Sequence, residues 1–137
     1  MHNVEFDTKL VGINVVTTYL PSHSKPEDDC YTFAYTITIT NGGDVPVQLL
    51  SRHWIITDAD NDVQEVRGDG VVGEQPVIAP GESFRYTSGA TLTTPVGCME
   101  GEYFMVVREP MELDPSELPT FEVPIPAFTL HTPTALN

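Results

Sequence analysis

The chain has 137 residues, and its 20 aspartates and glutamates outweigh six lysines and arginines to give a formal net charge of −14. A chain of this length is expected to form one domain over residues 1–137, with short tails around one core. The charge disfavours nucleic acid and anionic membranes as partners, and no apolar run is long enough for a spanning helix. Without a signal-like N-terminal segment, we expect a cytoplasmic protein.

The composition favours β structure, because 16 threonines and 15 valines suit a pleated surface better than a helix. Alternating and β-branched runs, separated by turns rich in glycine, proline and aspartate, predict strands along the chain. In chain order these are Leu10–Leu20, Cys30–Thr40, Val47–Thr57, Val63–Arg67, Ser83–Leu92, Gly101–Val107 and Phe121–Leu130. Such a pattern predicts an immunoglobulin or fibronectin type III-like sandwich of about seven to eight antiparallel strands.

Two sequence details predict where individual strands lie in the sandwich. In the second run, Tyr31, Phe33, Tyr35, Ile37 and Ile39 share one face, which is therefore expected to be core. Pro124 and Pro126 cannot donate to a ladder, so the last strand is expected to lie at an edge or to contain a bulge.

A glycine motif, Gly68-Asp69-Gly70-Val71-Val72-Gly73, has the G-x-G-x-x-G spacing of dinucleotide-binding loops. Pro76 and Pro80 follow too closely for a useful helix, so we expect a turn that joins two strands. A structural turn is the favoured interpretation. Anion binding by Gly68, Gly70 and Gly73, with Arg67 as the nearby cation, is the alternative.

Arg52 and Trp54 are two residues apart in a predicted strand and so share a face, while His53 lies on the other. A guanidinium beside an indole can form a recognition surface, and we name this pair as a candidate interaction site. The favoured structural alternative is a core tryptophan beside a hydrogen-bonded arginine.

The other candidate metal-binding and catalytic motifs are incomplete. Asp58, Asp60 and Asp62 imitate the start of a calcium loop, but later ligand positions are wrong, so a solvated turn is expected. The histidines have no zinc-site spacing, and no hydrolase or P-loop signature is present, so we assign no catalytic residue, metal or cofactor. Strand parity directs Cys30 away from the core face, so Cys30 and Cys98 are expected as free thiols.

Linked blocks along the chain resemble the ApaG family over about residues 11–130. They are Leu49–Asp58, Glu65–Pro76, Pro80–Gly89, Thr94-Pro95-x-Gly97 and Ile125–Phe128. The resemblance implies a fibronectin type III-like sandwich in a small bacterial protein, linked with divalent-cation and dinucleoside polyphosphate homeostasis. It implies no catalytic activity. The chain departs from the family by Asp69, where proline is common, and by an acidic segment over residues 109–117.

These observations together predict a non-enzymatic interaction module. The alternative is a phosphate or polyphosphate binder that uses the glycine loop. The protein partner is unidentified, and a homodimer formed through a sheet edge is left open.

Overall fold

Strands make up most of the computed structural model, which describes residues 7–109 and 113–134. They are β1 (Val11–Tyr19), β2 (Tyr31–Asn41), β3 (Val47–Asp58), β4 (Val63–Asp69), β5 (Val77–Ile78), β6 (Ser83–Leu92), β7 (Val96–Val107) and β8 (Phe121–His131). The helices of these residues are single 3₁₀ turns of three residues. None of them is long and apolar enough to cross a membrane.

The strands form two antiparallel sheets packed as a sandwich. The smaller sheet has the order β1-β2-β6, and the larger has the order β4-β3-β7-β8, with β5 beside one end of β3. This arrangement confirms the predicted all-β sandwich class. Strand β7 begins at Val96, five residues before the predicted start, and β5 was not predicted because two residues show no periodicity.

The core lies between the sheets, where the predicted alternation of β2 is confirmed. Phe33, Tyr35, Ile37 and Ile39 are buried, and they pack against buried residues of the larger sheet such as Met105. The opposite face of β2 carries hydroxyls, which hydrogen-bond across to β6 in the pairs Thr32–Thr91, Thr36–Thr87 and Thr40–Ser83. The outer face of the smaller sheet is therefore polar but uncharged along these three rows.

The two sides of the sandwich differ. On one side β1 packs against β8, which closes the sandwich. On the other side, β6 pairs only with β2 and β4 only with β3 among the described residues, so two strand edges face each other unpaired. We call this the open side. Strand β8 is an edge strand opposite a register shift between Met99 and Gly101, which confirms the expectation from its prolines.

Candidate functional site: the groove on the open side

A groove runs along the open side between β4 and β6. It consists of two adjoining clefts of about 230 and 310 Å³, and both are floored by Tyr35, Arg52, Trp54 and Ser88. We call it the edge groove. The smaller cleft ends at the glycine loop, and the larger lies between β4 and the second half of β6. The edge groove therefore brings together the predicted Arg52–Trp54 pair and one end of the glycine motif.

Arg52 and Trp54 lie on the inner face of β3, as the strand parity predicts. Trp54 is 2% exposed, and its ring packs edge-on against Tyr35 at 5.5 Å and Phe128 at 5.8 Å between centroids. The indole is thus mainly a core residue, with one part at the floor of the edge groove. Trp54 is therefore the core tryptophan of the structural alternative, and its ring also lines a cleft, while recognition of a ligand through it stays a prediction.

Arg52 clamps the glycine loop. Its Nη1 atom donates hydrogen bonds to the carbonyl oxygens of Asp69, at 3.1 Å, and Gly70, at 2.7 Å. Among the described residues, Nη1 is the one guanidinium nitrogen of Arg52 with a protein partner. The Nε and Nη2 atoms have no hydrogen-bond partner among the described residues, and Arg52 lines both clefts of the edge groove.

The structure explains why each of the three motif positions is occupied by glycine. A Cβ atom on Gly68 would lie 2.9 Å from the guanidinium of Arg52, so this glycine makes room for the clamp. Gly70 has φ +62°, and a Cβ there would lie 2.2 Å from the carbonyl oxygen of Glu74. Gly73 has φ +81° in open space. The spacing thus serves a tight turn and the close approach of the Arg52 guanidinium.

The loop joins β4 to β5 without a helix, which confirms the prediction from Pro76 and Pro80. Its amides are largely occupied: Gly70 donates to Leu50, Val71 to Glu74, and Glu74 back to Val71. An anion nest requires free amides that converge, and these three are already hydrogen-bonded to carbonyls. Arg67 lies opposite His53 in the β3–β4 ladder and therefore projects from the outer face of the sheet.

Val72 is the strained residue of the loop. It has φ +44°, an unfavourable conformation for a β-branched side chain that costs on the order of 1–3 kcal/mol. Val71, beside it, is buried in the core, whereas the Val72 side chain is 53% exposed at the end of the smaller cleft. The turn therefore displays an apolar side chain at the groove at a cost in stability.

On the outer face of the larger sheet, His53 forms a cluster that the sequence did not reveal. Its Nδ1 atom lies 3.0 Å from Glu102 Oε1 on β7, and its Nε2 atom lies 3.2 Å from Glu65 Oε1 on β4. The carboxylates meet different ring nitrogens, so they do not converge on one cation, and no metal-binding group of three such residues occurs among the described residues. Parity places His53 on this face, but only the register brings the glutamates to it.

A second unpredicted contact joins the sheets. The hydroxyls of Tyr86 on β6 and Tyr103 on β7 form a buried hydrogen bond of 2.5 Å. Burial raises the pKa of both phenols well above the usual value, with Arg52 acting weakly in the opposite direction. Tyr103 is thus anchored by a side chain of the facing sheet.

The remaining sequence candidates have structural roles. Asp58 Oδ1 accepts hydrogen bonds from the amides of Asp60 and Asp62 at 2.8 and 3.0 Å, which closes the polar turn between β3 and β4. Cys30 and Cys98 are free cysteines, in line with the expectation. Desolvation, and then the nearby Glu100 carboxylate, raise the pKa of the Cys98 thiol.

Comparisons with known proteins agree with this fold and with the blocks in the sequence. The ApaG domain matches residues 21–107. Protein ApaG of Ralstonia nicotianae is 56% identical over 125 residues, which span 91% of this chain and 94% of the relative. Protein ApaG of Dechloromonas aromatica is 53% identical over 127 residues, or 93% and 94% of the two chains. The protein in a crystal structure from Bordetella pertussis has 49% sequence identity to this chain. The two structures superpose with a TM-score of 0.82, and the match covers 90% of this chain and 94% of that one. The chain therefore belongs to the ApaG family.

Proposed function

We propose that this protein is a non-enzymatic, cytoplasmic binding module whose partner protein occupies the edge groove. The observation that carries the proposal is the open side itself, where a groove floored by Arg52 and Trp54 runs between two unpaired strand edges. Unpaired edges offer backbone donors and acceptors to a partner, and an arginine beside aromatic rings supplies anchoring contacts. A supporting feature is that Arg52 keeps two donors unused by the described residues.

The chemistry of the groove supports binding rather than catalysis. The polar residues that line it are Tyr35, Arg52, Gln64, Asp69, Tyr86, Ser88 and Thr91. The Tyr86 hydroxyl is already hydrogen-bonded to that of Tyr103, and burial raises the pKa of Tyr86. Ser88 has no histidine or lysine among the described residues that line its clefts, so an activating base is not supplied there.

Affinity capture tests the proposal with two matched variants of β4. Val66 faces the groove and is 38% exposed, whereas Val63 is 59% exposed on the opposite face of the same strand. We expect immobilised wild-type protein and Val63→Lys to retain the same partner from a lysate of Ralstonia nicotianae, whose Protein ApaG is 56% identical to this chain, and Val66→Lys to lose it. The proposal fails if Val66→Lys retains every partner as well as the wild type does.

A second candidate function is anion binding near the glycine loop, with the family's implied link to polyphosphates. It is favoured by one observation: Arg52 and Arg67 both line a shallow depression of about 340 Å³ around Gly68. The occupied loop amides, Asp69 in the same depression and the net charge of −14 act against an anion there.

We expect ATP to bind no tighter than about 1 mM at physiological salt, a free energy of about −4 kcal/mol. The physical reason is that one exposed arginine and one already hydrogen-bonded arginine offset little of the repulsion. Isothermal titration calorimetry measures the affinity, with Arg67→Ala as the variant. Micromolar binding that Arg67→Ala weakens would promote the anion site above the protein-binding groove.

A further inference from the structure

The geometry points to a specific mode of binding in the edge groove: an extended segment of a partner protein adds to β6 as a fourth strand of the smaller sheet. This inference rests on the proposed function and goes beyond it in naming the strand that pairs, the direction of the ligand and the ligand's chemistry.

The two layers of the sandwich differ in width. Counted from the closed side, where β1 packs on β8, the smaller sheet is three strands wide and the facing five-stranded sheet is four strands wide, because β4 and β5 both pair with β3. The fourth strand, β4, consequently has no strand opposite it, and all its residues except Gly68 are exposed. A strand that paired with β6 would lie in the same layer as β1 and β2 and would cover the inner face of β4.

The edge of β6 is suited to accept a strand. It is ten residues long, and Arg85 is its one charged side chain. Natural sheets protect such edges with charges, prolines or bulges, and β6 has neither a proline nor a register shift in its pairing with β2. In contrast, the edge strand β4 carries Glu65, Arg67 and Asp69. The less protected edge therefore belongs to the narrower sheet.

The groove specifies which side chains the ligand presents inward. The larger cleft, beside Ser88–Thr91 of β6, has apolar walls at Ile56 and Val66. The smaller cleft, beside Tyr86–Ser88, combines Arg52 with the exposed apolar side chain of Val72. Asp69 also lines this cleft, but it has the strand parity of Arg67 and so lies on the outer face of β4. Successive inward positions of a strand are two residues apart, so adjacent clefts take residues i and i+2.

The ligand is thus an extended peptide with an apolar or β-branched residue over Val66 and a carboxylate at the unused donors of Arg52. The ladders of both sheets are antiparallel, and a strand that continues this pattern on β6 meets the larger cleft first, so the apolar residue precedes the acidic one by two positions. The ligand positions that alternate with these face outward, and threonine or serine at the positions beside Thr87 and Thr91 continues the hydrogen-bonded rows.

The strained turn supplies an independent argument. Val72 holds a left-handed conformation that asparagine or glycine adopts more easily, yet the residue displays an apolar side chain beside the smaller cleft. A purely structural turn would gain from Val72→Asn. If the side chain contacts the ligand, the same substitution stabilises the free protein and weakens binding.

A displayed library of random peptides of about eight residues, selected on the full chain, tests the inference. We expect enriched peptides with an apolar residue two positions before an aspartate or glutamate, and the one tryptophan of the chain reports binding by its fluorescence. In the wild-type chain, the bound peptide should slow hydrogen exchange at alternate amides of Ser83–Leu92. Because this measurement needs no variant, it is independent of any effect of substitution on folding.

Variants complete the test with the enriched peptide. We expect Val66→Lys to weaken binding at least about tenfold, Val63→Lys to leave it unchanged, and Val72→Asn to weaken it while raising the urea midpoint. Replacing the acidic residue of the peptide by glutamine should also weaken binding at least about tenfold.

The inference is overturned if no peptide is enriched, if the slowed amides lie on β4 instead of β6, or if self-association through β6 proves to be what fills the groove, measured by light scattering. In each of these cases, partner capture that Val66→Lys abolishes would leave the proposed function standing. Loss of that dependence as well would remove both.

Discussion

Among the three glycines of the motif, Gly70 is the position that is expected to tolerate a side chain least. Its positive φ and the close carbonyl oxygen of Glu74 exclude a side chain, whereas Gly73 has a positive φ in open space. We expect Gly70→Ala to lower the free energy of unfolding by about 2–4 kcal/mol, and Gly73→Ala by about 1 kcal/mol. Urea denaturation of both variants measures this difference. Equal losses would show that the close approach to Glu74 is not a constraint.

The Tyr86–Tyr103 pair makes the free energy of unfolding depend on pH in the alkaline range. The unfolded phenols ionise near a pKa of 10, while burial raises the pKa of both phenols in the folded chain. The stability they contribute is therefore fully present below about pH 10 and is lost as the pH rises above it, because only the unfolded chain releases these protons readily. We expect the urea midpoint of the wild type to fall more steeply between about pH 9 and 11 than that of a Tyr86→Phe, Tyr103→Phe double variant. Parallel curves would contradict the assignment.

At the scale of the elements, β3 and β7 are central strands, and β4 is a peripheral one. Strand β4 is attached by its ladder to β3, by Glu65 on His53, and by Arg52 on the carbonyls of Asp69 and Gly70. Its exposed residues add little burial, so these polar contacts contribute much of its local stability.

We therefore expect Arg52→Met to accelerate amide hydrogen exchange about tenfold or more in Val63–Asp69 and the following loop. Losing hydrogen bonds from a charged donor costs about 1.5–3 kcal/mol, and methionine keeps most of the apolar stem. Arg85→Met, on the exposed face of β6, is the matched control. Exchange that is unchanged in β4, or raised equally in β2, would argue against Arg52 as a local clamp.

At the scale of the whole molecule, the net charge of −14 opposes the compact state through repulsion among carboxylates. Raising the salt from about 10 to about 150 mM shortens the screening length from about 30 to about 8 Å. We expect the urea midpoint to rise over this range, and to rise less near pH 4.3, the pI of the sequence, where the net charge vanishes. A midpoint that falls with salt at neutral pH would show that attractive pairs outweigh the repulsion.

Local pattern determined much of this protein. The alternation in β2 and the turn residues predicted the fold class and most strands. The prolines predicted the edge position of β8 and the absence of a helix after the glycine loop. Each of these features depends on the conformational preferences of neighbouring residues in the chain. Parity likewise placed Arg52 and Trp54 together and His53 opposite them.

Only the tertiary structure decided what those side chains meet. Register brought Glu65 and Glu102 to His53, and packing of the two sheets joined Tyr86 to Tyr103. The smaller sheet is one strand narrower than the sheet it faces, which leaves β4 uncovered and opens the edge groove. These are contacts between residues far apart in the chain, and a periodicity of two specifies the face of a strand without specifying its neighbour.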